Sequence, residues 1–60
     1  MYGIWNAIED VQEVRDYSRE QVIEFANIER VTVTGIREEI KTLEEAEEFL
    51  LTLGYIVEEM

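Results

Sequence analysis

Carboxylates are the one reactive group this sequence holds in quantity. Fifteen Asp and Glu face five Lys and Arg, for a net charge of −10 over 60 residues. Glu44, Glu45, Glu47 and Glu48 crowd into the stretch TLEEAEEFL. Paired acids can do general acid–base work when burial raises the pKa of one of them, and oxygen ligands suit calcium or magnesium. Neither chemistry fits. On a helix these four glutamates fall on the wet side, where acids are not tuned. The only aspartates, Asp10 and Asp16, do not make a D-x-D-x-D-G loop. With no His and no Cys, imidazole bases and ligands, thiolate zinc sites and disulfides are all excluded. Ser18 is the only serine and is needed as a helix cap. Lys41 is the only lysine, and Gly3, Gly35 and Gly54 are isolated, so no phosphate-cradling loop exists. The residues predict a non-catalytic protein with no cofactor and no metal.

Charge also bounds the partners. A chain this acidic repels nucleic acid backbones and anionic membranes, so the expected partner is a protein with a basic surface, including one that itself binds nucleic acid. No direct nucleic acid and no membrane contact are expected. The segment Met1-Tyr2-Gly3-Ile4-Trp5 lacks the basic start and apolar core of a signal peptide, and a cytoplasmic location is expected. Apolar residues make up 47% of the chain, in patterned order and without proline, which argues for a fold rather than disorder. Sixty residues form a single thin domain, 1–60. A core this small is commonly stapled by disulfides, metal or a second subunit. With the first two excluded, a homodimer is expected.

The acids have to be positioned by a short list of elements. Leu43, Ala46, Phe49, Leu50 and Leu53 form one helical stripe. Glu44 and Glu45 in its first turn suit the helix dipole, and Gly54 is placed to end it in a left-handed conformation. Tyr55-Ile56-Val57 then reads as a strand. An earlier helix runs from Arg19 to about Ile28, with Val22, Phe25, Ala26 and Ile28 inward. Shifted by twenty-four residues the two regions resemble each other: Ser18 falls on Thr42, Gln21 on Glu45, Phe25 on Phe49 and Val33 on Val57. Each opens with a capping box, Ser18 with Gln21 and Thr42 with Glu45. Two similar helix–strand units, about 18–35 and 42–59, are therefore expected.

The remaining segments read as strands. Residues 2–8 are aromatic and branched. Residues 11–17 pair with them through a turn at Glu9-Asp10, or else form a helix, since Ile8, Val11, Val14 and Tyr17 recur every three residues. Val31 and Val33 alternate as a strand, Gly35 marks a turn or bulge, and Ile36–Lys41 continues the sheet. The expected fold is α+β: a small, mainly antiparallel sheet with two helices on one face, in ββα-ββαβ order.

Four apolar residues exceed what one core needs. Tyr2 and Trp5 lie on opposite faces of a strand, and both residue types anchor interfaces. Ile23 and Leu51 flank their helical stripes. Tyr2, Trp5, Ile23 and Leu51 are thus candidate apolar interface residues, and Glu44, Glu45, Glu47 and Glu48 a candidate acidic partner-binding surface.

In general character the chain resembles small bacteriophage proteins that disable a host protein. The short, acidic anti-defence inhibitors, such as those of the Hachiman system or anti-CRISPR proteins, are similar in size and charge. The resemblance rests on length, acidity, the compact MYGIWN start and the TLEEAEEFL helix. It implies a non-catalytic inhibitor acting in the host bacterial cytoplasm, through an apolar and acidic surface. One alternative mechanism is DNA mimicry, in which carboxylates fill a basic nucleic-acid groove. Further alternatives are a bacterial structural or regulatory dimerisation module, and a designed protein.

Overall fold

The computed structural model describes residues 1–60. Its elements are β1 (Tyr2–Asn6), β2 (Val11–Tyr17), α1 (Arg19–Thr34), α2 (Leu43–Thr52) and β3 (Tyr55–Glu59). The sheet is antiparallel in the order β2-β1-β3, and both helices cover one of its faces. The class is α+β as expected, but the element order is ββααβ.

β1 and β2 form a hairpin, and the three-residue spacing in β2 has a physical cause. Tyr17, Val14 and Val11 stand opposite Tyr2, Ile4 and Asn6, so each step of two residues on β1 matches three on β2. The register shifts twice, as β-bulges do, and a period that mimics a helix is absorbed by a strand. The Gln12 amide donates to the carbonyls of Ile4 (3.2 Å) and Val14 (2.7 Å), supplying donors where the ladder is irregular. At the turn, the Asn6 carboxamide oxygen accepts from the backbone N–H groups of Ile8 (3.1 Å) and Glu9 (3.0 Å). Asp10 takes a left-handed φ of 58°, which Asp tolerates better than most residues.

α1 opens with the expected capping box. The Gln21 N–H donates to Ser18 Oγ (3.2 Å) and the Ser18 N–H to Gln21 Oε1 (2.7 Å). It does not stop near Ile28. The helix continues through Val31-Thr32-Val33-Thr34 to a left-handed cap at Gly35, φ 75°, whose N–H donates to the Val31 carbonyl (2.9 Å). The strand expected at Val31–Val33 is therefore absent. Strand preference there is mainly a preference for packing on a sheet, and no strand lies alongside. Thr32 and Thr34 instead turn their hydroxyls onto the carbonyls one turn back, at Ile28 and Arg30, as Thr does within helices. Ile28, expected inward, is 59% exposed.

The strand expected at Ile36–Lys41 is also absent. Gly35 reverses the chain, and residues 36–41 run back beside α1 without regular structure. Asn27 holds them in place. Its Oδ1 accepts from the Ile40 N–H (2.7 Å), and its Nδ2 donates to the carbonyls of Ile40 and Ile23 (both 3.1 Å). One carboxamide thus does for Ile40 what a neighbouring strand would have done. The two regions that resemble each other in sequence differ accordingly: the first is helix to its end, the second helix then strand.

α2 and β3 follow the sequence closely. The Glu45 N–H donates to Thr42 Oγ1 (3.2 Å), although the Glu45 carboxylate takes the Thr42 hydroxyl (3.4 Å) rather than completing a capping box. Gly54 is left-handed, φ 91°, and β3 pairs with β1 from Tyr55 opposite Asn6 to Glu59 opposite Tyr2. The core consists of Ile4, Val22, Ala26, Ile40, Ala46 and Leu50. Phe25 stands edge-on to Tyr17 (6.4 Å between centroids) and Tyr55 (5.4 Å) at its margin. No helix is long and apolar enough to cross a membrane.

Candidate protein-interaction surface

α1 outruns the core it packs on. Its sixteen residues span about 24 Å, yet its two fully buried side chains, Val22 and Ala26, both lie in its first half. Beyond them, Val31 (39% exposed), Val33 (56%) and Ile36 (45%) face water along with Ile28. The returning segment runs antiparallel to the helix, tied by Asn27 to Ile40 and by the Arg30 guanidinium to the Glu38 carbonyl (3.5 Å). Between helix and segment lies an open groove of about 620 Å³. Ile23, Ile28 and Val31 are its apolar lining. Glu20, Glu24 and Glu39 border it, and Arg37 is its one cation.

These contributions follow from helical spacing. Glu20, Glu24, Ile28 and Val31 stand at offsets 0, 4, 8 and 11, one row along α1. The Asn27 tether sets Glu39 near the middle of that row, and the Gly35 turn sets Arg37 near its end. Fourteen of the fifteen carboxylates in the molecule are exposed and Glu29 is half-buried. The Tyr55 phenol has its pKa raised, by partial burial and then by the nearby carboxylates of Glu29, Glu13 and Glu9.

The residues singled out from the sequence are spread over four places. Glu44, Glu45, Glu47 and Glu48 are exposed on α2, and Leu51 is exposed near its end. Ile23 lines the groove while also packing against the core. Tyr2 is half-buried against the core. Trp5 points to the opposite, uncovered face of the sheet, paired with Ile56 and two positions from Gly3, over which Met60 lies. The groove residues Ile28, Val31, Arg37, Glu20, Glu24 and Glu39 were not singled out. The signal for them was the row itself, Glu20 to Val31, which a helix ending at Ile28 conceals. Compared with known proteins, the chain matches no family model, no curated protein and no solved structure.

Proposed function

We propose that this protein is a non-catalytic, protein-binding inhibitor that acts by covering a basic surface of its target. The reading draws on the resemblance to short acidic anti-defence proteins, whose targets are host bacterial proteins. One observation carries it. Ile28 and Val31 are exposed one turn apart on α1, in a groove bordered by Glu20, Glu24 and Glu39 with Arg37 at its end. Apolar area left in water is unfavourable, and a contiguous apolar strip rimmed by charge is the form that docking surfaces take. The carboxylates steer a basic target and the apolar strip holds it.

The test is affinity capture from bacterial lysate with the intact chain and with Ile28→Asp as parallel baits, followed by assay of the captured protein's own activity. A protein retained by the first bait, released by the second and inhibited on binding supports the reading. Capture of no protein by the intact chain sinks it, and identical capture profiles sink the Ile28–Val31 strip as its docking surface. DNA mimicry is the second reading, favoured by the exposed row Glu44, Glu47 and Glu48 on α2. It requires that duplex DNA compete for the captured protein and that Glu47→Gln with Glu48→Gln weaken capture. A homodimer belongs to the same proposal, with the second copy on the sheet face around Trp5 and Ile56.

A further inference from the structure

We infer that the groove along α1 receives a basic amphipathic helix of about three turns from the partner protein. The inference rests on the protein-binding reading and specifies its site. Length comes first. Glu20 to Thr32 bounds the groove along the helix, and twelve residues of rise are about 18 Å, the length of a helix of equal size. Shape comes second. One wall is α1, with Ile28 and Val31 one turn apart. The other is an irregular segment whose Ile40 backbone groups are already taken by Asn27. Against the α1 wall a helix can set an apolar row on Ile23, Ile28 and Val31.

Charge selects the occupant. Glu20 and Glu24 border the first half of the groove, Glu39 its middle, and Arg37 its end. The complementary helix carries Lys or Arg over the two α1 glutamates and an acid or neutral residue over Arg37. A second copy of this chain is a poor occupant: each copy bears −10, and its other exposed helix row, Glu44, Glu47 and Glu48, would set acid against acid.

The probe is a fluorescein-labelled fourteen-residue peptide with an i, i+3, i+7 leucine row, lysines beside it in its first half and one glutamate near its end. Binding is read by anisotropy, and the contact surface by amide shifts in the 15N-labelled full chain. The peptide should bind at low salt, shift residues of α1 and 36–40, and gain helicity. Ile28→Asp should weaken it about tenfold, the scale of a lost apolar anchor. Glu20→Gln with Glu24→Gln should weaken it several-fold, an effect that fades as salt rises. Glu47→Gln with Glu48→Gln should leave it unchanged. Ile28 is exposed, so the fold is expected to survive, as far-UV dichroism verifies. Shifts confined to α2, a peptide of reversed charge binding as well, or no binding at millimolar concentration each overturns the inference. Lysate capture that persists in Ile28→Asp but is lost in Glu47→Gln/Glu48→Gln removes the groove and leaves the protein-binding reading standing. Capture of nothing removes the reading itself.

Discussion

Asn27 offers the sharpest test of how the chain closes around its core. Its carboxamide makes two hydrogen bonds to the backbone of Ile40, thirteen residues away, and Ile40 is a core side chain only 2% exposed. Asn27→Ala removes both bonds and leaves the Ile40 N–H and carbonyl to find water at the edge of an apolar site. A net loss of about 0.5–1.5 kcal/mol per bond, with a share of the desolvation of the orphaned groups, gives about 2–3 kcal/mol. A domain of this size is stable by roughly 3–9 kcal/mol at the usual value per residue, so the variant sits near its unfolding threshold. Urea titration followed by Trp5 fluorescence measures the change. The mechanism also predicts coupling. Ile40→Ala alone should cost about 2–5 kcal/mol, and the double variant should cost less than the sum, by about 1 kcal/mol or more, because the tether has lost what it holds. A change below about 0.5 kcal/mol for Asn27→Ala would refute the account, given the magnitude for even one such bond. Strict additivity would refute the coupling.

Four further outcomes follow from the geometry. Gly35→Ala and Gly54→Ala should each cost about 1–2 kcal/mol for forcing a side chain into left-handed backbone. Gly54→Ala should cost the more, because its Cβ would lie 2.6 Å from Ile8 Cδ1, and Ile8→Ala should erase the difference in urea titrations. Raising NaCl to ~0.5 M should raise the Tm by screening the self-repulsion of a chain at −10; a Tm that falls counts against this. The folded pKa of Tyr55 lies above its unfolded value of 10.0, through burial and then Glu29, Glu13 and Glu9. Its contribution is therefore complete below pH 10 and is lost as pH rises through the folded value. In alkaline titrations Tyr55→Phe should flatten that decline, and an unchanged slope would rule the link out. Sedimentation equilibrium at micromolar concentration should find a dimer that Ile56→Lys dissociates; a single 7.1 kDa species ends the dimer proposal.

The legible parts of the fold are those whose local and tertiary preferences agree. The stripe from Leu43 to Leu50, the Thr42 cap and left-handed Gly54 all specify one helix, and the structure builds it. In β2 the sequence carried two periods at once. Nothing local chooses between a helix and a twice-bulged strand. The choice is made by Tyr2, Ile4 and Asn6 on the neighbouring strand. In Val31–Thr34 the branched residues favour a strand only if a sheet is there to receive them. Without one, the Gly35 cap and the two Thr hydroxyls suffice to continue the helix. Ile40 was unreadable for the same reason: a buried residue in an irregular segment has no period, and its partner, Asn27, is chosen in three dimensions.

The candidate site inherits that division. Exposure of the α2 glutamates and Leu51 was legible, because it needs only a helical wheel. The groove was not, because it arises from the two misread segments together. Had α1 ended at Ile28 and the chain entered the sheet, Val31 would have been interior and Arg37 and Glu39 would have flanked a strand. Continuing the helix moves Ile28 and Val31 into water, and tethering the return at Ile40 places Glu39 and Arg37 opposite them. Three carboxylates and one cation then surround an apolar lining. The most informative surface of the molecule is thus built from the stretch where sequence preference and final structure part, as happens where a protein holds residues in positions that its own fold does not require.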